Sequence, residues 1–161
     1  MSTILIAYYS RTGNTQAMAE EIARGAREAG ADVQVAALEH VAVKNLESFK
    51  AIVLGSPDYY GCMAAPVKKL LDDSVTIHGK LAGKIGGAFS SSANIGGGNE
   101  TTILSIVQAL LVHGMIVPGV AHGDHYGPVA INAPDERALR QCHRYGQMIA
   151  RLTNALGALA Q

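Results

Sequence analysis

Residues Thr3 to Glu21 constrain the fold of this chain more than any other stretch. Ile4-Leu5-Ile6-Ala7-Tyr8-Tyr9 is apolar on both alternating faces, the pattern of a central parallel strand covered by helices on each side. The strand ends at Ser10, and Arg11-Thr12-Gly13-Asn14-Thr15 leads within a few residues into an amphipathic run from about Asn14 to Ala29, with Ala17, Met18, Ile22 and Ala26 on one stripe and Gly30 ending it. A loop entering a helix N-terminus presents unpaired backbone N–H groups and a partial positive charge. With hydroxyls at Ser10, Thr12 and Thr15 it suits a phosphate, and it equally suits an ordinary helix cap at Asn14 or Thr15.

The rest of the chain repeats the unit. Asp32 to Ala36 alternates polar and apolar residues as an edge strand does, Asn45 to Lys50 predicts a short helix or turn, and Ala51 to Ser56 predicts a second buried strand. Pro66 to Leu71 reads as a helix, Lys84 to Phe89 as a fourth strand, Glu100 to Val112 as a helix, Met115 to Val117 as a fifth strand and Pro134 to about Leu159 as the last helix. That helix is expected to turn Leu139, Cys142, Met148, Ile149, Leu152 and Leu156 to the sheet and Arg140, Arg144 and Arg151 to water. Strand, helix, strand with short connections predicts an α/β fold: a doubly wound five-stranded parallel sheet, order 2-1-3-4-5, with helices on both faces. Ligands then bind beyond the strand C-termini, where the order reverses between the first and third strands.

Composition narrows the partners. The 161 residues are expected to form a single domain, and 13 basic against 13 acidic residues leave no electrostatic footprint for nucleic acid or an anionic membrane. No apolar run has membrane length, and Met1-Ser2-Thr3 leads into the strand without a basic region or cleavage site, so a cytoplasmic location is expected. Cys62 and Cys142 are expected to be reduced thiols, Cys62 being either a redox group in a loop or a small apolar filler.

Two further loops face the predicted crevice. Ser56-Pro57-Asp58-Tyr59-Tyr60-Gly61 places adjacent tyrosines in a glycine-flanked turn. One of them can stack on a flat ring, unless both simply pack at the surface. Ser90-Ser91-Ser92-Ala93-Asn94-Ile95-Gly96-Gly97-Gly98 brings a donor-rich backbone to a strand end, either to bond the edge of a heterocycle or as a plain flexible loop. His122, Asp124 and His125 lie in a long loop from Pro118 to Pro134. They lack an obvious fourth ligand, so no metal is expected there, and they are read as rimming a ligand or a subunit contact.

Ser10-Arg11-Thr12-Gly13-Asn14-Thr15 after an apolar strand resembles the flavin mononucleotide (FMN) phosphate loop of flavodoxins. It differs from loops that carry Gly-Lys-Ser/Thr, Gly-x-Gly-x-x-Gly or a cysteine followed by arginine. The segments Ser56-Pro57 to Ala65-Pro66, Phe89 to Thr102, His113-Gly114-Met115 and Tyr126-Gly127 to Ile131 are similar to those of the WrbA family (tryptophan-repressor-binding protein) of flavodoxin-like NAD(P)H:quinone oxidoreductases. Cys62 stands where that family usually has Asn, and Ser92-Ala93-Asn94-Ile95 replaces a run of small residues.

The resemblance implies an FMN-dependent enzyme that reduces quinones by two electrons, with NAD(P)H as a transient co-substrate. It implies FMN contacts from Ser10, Arg11, Thr12, Gly13, Asn14, Thr15, Ser56, Pro57, Asp58, Tyr59, Tyr60, Gly61, Ser90, Ser91, Ser92, Asn94, Gly97, Gly98 and Tyr126. His113, before Gly114 at a helix C-terminus, is the candidate catalytic residue near a quinone oxygen, its protonated form favoured by the helix dipole; a plain helix-capping role is the other reading. A homodimer or tetramer is also implied, although the chain lacks the insertions after the second and fourth strands that help build the family's tetramer. An electron carrier docking on redox proteins is the alternative. Charge neutrality disfavours it, because steering toward a partner needs an excess of one sign. A flavin-free phosphoacceptor domain would need an aspartate where Ser56 stands.

Overall fold

A computed structural model describes residues 3–159. Met1 and Ser2, on which part of the expectation about the N-terminus rests, lie outside the described residues, as do Ala160 and Gln161. Ten elements follow in order: β1 (Thr3–Tyr8), α1 (Asn14–Glu28), β2 (Asp32–Ala37), β3 (Ala51–Tyr59), β4 (Cys62–Met63), α2 (Ala65–Asp73), β5 (Ile85–Ser92), α3 (Asn99–Val112), β6 (Val129–Ile131) and α4 (Glu136–Leu159). Short 3-10 turns cover Leu38–His40, Val43–Ser48 and Ser74–Ile77. No helix among the described residues is long and apolar enough to cross a membrane.

Five strands form one parallel sheet in the order β2-β1-β3-β5-β6, the predicted topology, while β4 folds back antiparallel on the end of β3. The register sets Ile6 between Val35 and Val53, so the apolar residues of β1 stack across the sheet centre. Ile4 and Ile6 face the core beneath α1 and α4, Leu5 and Ala7 the core beneath α2 and α3. Burial on both faces explains why β1 reads as a continuous apolar run.

Three expectations need correction. Ala17 and Leu152 are exposed; the packed side of α1 runs through Met18, Ile22 and Ala26. On α4, Ala138, Cys142, Tyr145, Ile149 and Thr153 turn inward. The two helices meet backbone to backbone, since a Cβ on Gly25 would strike the His143 carbonyl and one on Gly146 the Ile22 carbonyl. Burial raises the Cys142 thiol to about 12, with the Glu21 carboxylate adding to it, so this cysteine stays a neutral packing group. Ser90, Ser91 and Ser92, read as loop, are the last residues of β5.

The predicted fifth strand does not form as such. Ile116 makes an isolated parallel bridge to Ile85, the chain then leaves the sheet at Pro118, and it returns as β6 beside Ser90 to Ser92. Between these points the Ala88 amide lacks a strand partner, and the buried Tyr145 hydroxyl accepts it at 3.3 Å. Gly87 makes room, because a Cβ there would sit 2.6 Å from the Tyr145 oxygen. Desolvation pushes the Tyr145 hydroxyl up to about 12, keeping it protonated. Tyr145→Phe is expected to orphan the Ala88 N–H and cost about 1–3 kcal/mol in urea unfolding; an unchanged midpoint with an unchanged slope would refute the capping role.

Candidate functional site

The chain leaves β1, fills β2, and crosses back to β3 on the other side, so strand order reverses between β1 and β3. A crevice opens at such a point because adjacent connections depart to opposite faces. At its base Tyr9 N–H donates to the Gly55 carbonyl at 3.1 Å. Gly13, with φ +91°, is the N-cap of α1 and brings no side chain to that helix end. Asn14 and Thr15 are therefore its first residues rather than its cap. Ser10 Oγ accepts the amides of Gly13 (3.1 Å) and Gln16 (3.3 Å), so a single oxygen already occupies a nest of donors at a helix N-terminus. Thr15 is buried, its hydroxyl 3.0 Å from that of Ser91, which ties this loop to the end of β5.

The second loop is a hairpin. Asp58 pairs with Met63 and Tyr59 with Cys62, and the two-residue turn has positive φ at Tyr60 (56°) and Gly61 (75°), as a type I′ turn requires. A tyrosine in that conformation is strained. Asp58 holds the turn: its Oδ1 accepts Gly61 N–H at 2.8 Å and the Thr102 hydroxyl at 2.9 Å. Tyr59 packs edge-on against Tyr9 with ring centroids 6.4 Å apart, whereas Tyr60 touches little and is fully exposed. Below, Ser56 is buried; its hydroxyl donates to the Pro57 carbonyl (2.7 Å) and accepts Ala64 N–H (2.8 Å).

The third loop leaves β5 through Ser92, whose hydroxyl donates to the Asn94 carbonyl (3.0 Å) and accepts Asn99 Nδ2 (3.2 Å). Gly98, at φ +111°, precedes α3 and presses on the hairpin. A Cβ there would lie 2.8 Å from Gly61 Cα and 3.0 Å from both Asp58 oxygens. The two loops thus share one narrow contact.

These loops enclose a cleft of about 330 Å³ lined by Arg11, Thr12, Asn14, Thr15, Pro57, Asp58, Tyr59, Ser91, Ser92, Ala93 and Asn132. Ser10 and Gly13 shape its side next to α1, while Tyr60 and Gly61 form the hairpin tip and Asn94, Gly97 and Gly98 the outer loop. Ser56 and Ser90 do not reach it; both are buried under it, the Ser90 hydroxyl without a partner among the described residues. Tyr126 is half exposed and precedes β6, away from the strand's C-terminal end. Asn132 was missed by sequence reasoning. It follows β6 with φ +56° and donates its backbone N–H to the Ser92 carbonyl at 2.7 Å. An asparagine just past a strand and tolerant of positive φ was the available signal, hidden by placing the fifth strand too early. Of the 122–125 loop, Asp124 pairs with Arg137 at 2.8 Å and His125 Nδ1 bonds the Val120 carbonyl.

His113 is corrected. It lies at the far end of α3 beside Gly83, where β5 begins, so it cannot reach the cleft of its own chain. It is buried, with Nε2 2.8 Å from the Ser74 hydroxyl, and that hydroxyl donates to the Leu71 carbonyl. Nε2 then carries the proton and Nδ1 is left without a partner among the described residues. Burial, with His78 beside it, holds the imidazole below its ordinary value, which overrides the helix-end effect expected to favour the charged form.

The reversal at β1 and β3, with a cleft at the carboxyl ends of the central strands, defines the class of this protein: a doubly wound α/β domain with its ligand crevice at the switch point. The chain belongs to the flavodoxin family, whose model matches residues 6–102. It is 38% identical to an NAD(P)H dehydrogenase (quinone) of Rhodopseudomonas palustris (strain TIE-1), over 76% of this chain and 73% of that one. An Archaeoglobus fulgidus protein of the same name is 30% identical over 97% of this chain and its whole length. The structure of a flavodoxin, WrbA-like protein from Agrobacterium tumefaciens superposes with a TM-score of 0.81 at 27% identity, covering 96% and 99% of the two chains.

Two outcomes follow from the geometry. Gly98→Ala adds a Cβ at positive φ against Gly61 and Asp58, and is expected to cost about 1–3 kcal/mol in thermal or urea unfolding; wild-type stability would show that the loops do not meet there. Folded His113 binds its proton less readily than the unfolded chain, so its contribution to stability is full above about pH 6.5 and lost as pH falls below that value. Urea unfolding from about pH 7.5 to about pH 5 should show this loss, and His113→Gln should flatten it. An identical acid slope in the variant would assign the loss elsewhere.

Proposed function

We propose that this chain is an FMN-dependent oxidoreductase that reduces quinones by two electrons with NAD(P)H as the reductant. The reading rests above all on the convergence of three loops, from β1, β3 and β5, on one cleft whose end is a nest of helix N-terminal amides. The residues present fit the cofactor. Ser10 Oγ already serves as an oxygen acceptor for the Gly13 and Gln16 amides, as a phosphate oxygen would, and the N-cap residue Gly13 has no side chain to crowd the helix end. The names of the relatives, NAD(P)H dehydrogenase (quinone), support the reductant and the acceptor.

In this reading Ser10, Thr12 and the amides of Gly13 to Gln16 hold the phosphate, with Arg11 adding a positive charge at the cleft edge. Pro57, Asp58 and Tyr59 form one wall, and Ser91, Ser92, Ala93 and Asn132 the other. Bound FMN supplies the two-electron chemistry, hydride uptake from a nicotinamide and its return to a quinone. The protein positions it and shapes access. Tyr59 and the exposed Tyr60 offer flat apolar faces at the mouth, where a ring can stack for about 1 kcal/mol beyond burial. No histidine lines the cleft among the described residues, so no histidine of the same chain takes the role expected of His113.

The purified protein is expected to be yellow, and to oxidise NADH or NADPH with benzoquinone as acceptor. A colourless protein that takes up no FMN ends the reading, and flavin binding without nicotinamide oxidation points to an electron carrier. Ser10→Ala removes the oxygen that organises the phosphate nest and should weaken FMN about tenfold, ~1.4 kcal/mol, with little effect on riboflavin, which lacks the phosphate; equal weakening of both would place the phosphate elsewhere.

A further inference from the structure

The chain's detour between Ile116 and β6 leaves a second cavity, and nothing in the proposed reaction uses it. It lies between the 118–128 loop and α4, measures about 330 Å³, and shares no lining residue with the flavin cleft. We propose that this cavity is a separate binding site for a small amphipathic anion, a flat apolar body bearing one carboxylate.

The walls are set by polar bonds that do not depend on what fills the space. Val120 N–H donates to the His125 carbonyl at 3.0 Å, and His125 Nδ1 bonds the Val120 carbonyl at 2.8 Å, which closes the loop on itself. Asp124 fastens it to the sheet and to α4, accepting Val129 N–H at 2.9 Å and pairing with Arg137. The Gln141 amide sits over Gly123, where a Cβ would collide with it. A loop braced in this way cannot simply collapse onto Met148 and Tyr145, although an apolar space left open is costly.

The lining states the ligand's chemistry. Val120, Ala121, Pro128, Tyr145 and Met148 supply apolar surface for a ring or short branched chain. The cationic group at the rim is Arg144. On the same helix Arg137 pairs with Asp124 and Arg140 with Glu136, but Arg144 makes no ion pair or hydrogen bond with any described residue. The one carboxylate in the lining, Asp124, is already answered by Arg137. A guanidinium with both forks free beside an apolar cavity selects a planar acid group.

The test uses the full chain, with and without FMN, so that its outcome is independent of the flavin reading. Amide NMR shifts are followed during titration with 2-naphthoate, and with 2-naphthylmethanol as the uncharged isostere. Saturable shifts confined to residues 119–128 and 141–148 are expected, with the carboxylate binding about fivefold or more tighter than the alcohol. Arg144→Gln, an exposed substitution, should erase that preference while leaving the alcohol's affinity unchanged, and Met148→Trp should block both ligands. Shifts centred on Thr12, Asn14 or Asn132, shifts that do not saturate, or an undiminished preference in Arg144→Gln would overturn the proposal.

Discussion

The parallel pairing of β1 with β3 is the interaction on which the molecule depends. It aligns Ile4 to Tyr8 against Ala51 to Gly55 and ends in the Tyr9–Gly55 bond, so the loops after both strands emerge side by side. Because β2 pairs on the opposite side of β1, the chain must reverse there. The cleft is a consequence of that reversal rather than of any one side chain. Slipping the pairing by one residue would exchange Ile4 and Ile6 for Leu5 and Ala7 between the two cores, and packing on both faces prevents it.

On this frame a few polar links fix the loops. The Thr15–Ser91 hydroxyl pair joins the phosphate-type loop to β5, and Asp58 joins the hairpin to α3 through Thr102. Each link is largely removed from water, where a hydrogen bond is worth more than at the surface. Together they make the cleft a built feature of the fold, while Tyr60 and Asn94 to Gly97, which have few such ties, stay exposed at its rim. Mobility is expected at that rim.

What the sequence revealed was mostly local. The run Ile4 to Tyr9, the hydroxyls of the Ser10 to Thr15 loop and the helix after it could be read because strand burial, turn chemistry and helix entry are properties of neighbouring residues. The hairpin at Tyr60 was hidden because a tyrosine rarely accepts positive φ, and here the β3–β4 pairing and the grip of Asp58 on Gly61 hold it there. Met115 to Val117 has a strand's composition, but Pro118 and Gly119 interrupt it after one bridge, a tertiary outcome that no local pattern records. His113 went astray for a simpler reason. A helix of 14 residues is about 21 Å long, and since α3 begins at the cleft its other end must lie across the molecule. The glycines at 25 and 146 are where the backbones of α1 and α4 touch.

That last contact bears on what the family match means. Residues 6–102 carry the family pattern, yet the inner face of α1 is closed by α4, which begins at Glu136. Beside the crossing, His143 lies 3.0 Å from Glu21 and 3.0 Å from Glu28, and Arg24 bonds the same two carboxylates. The helix that presents the amide nest is thus splinted from behind by the far end of the chain. The stretch that gives the protein its lineage has no finished interior of its own.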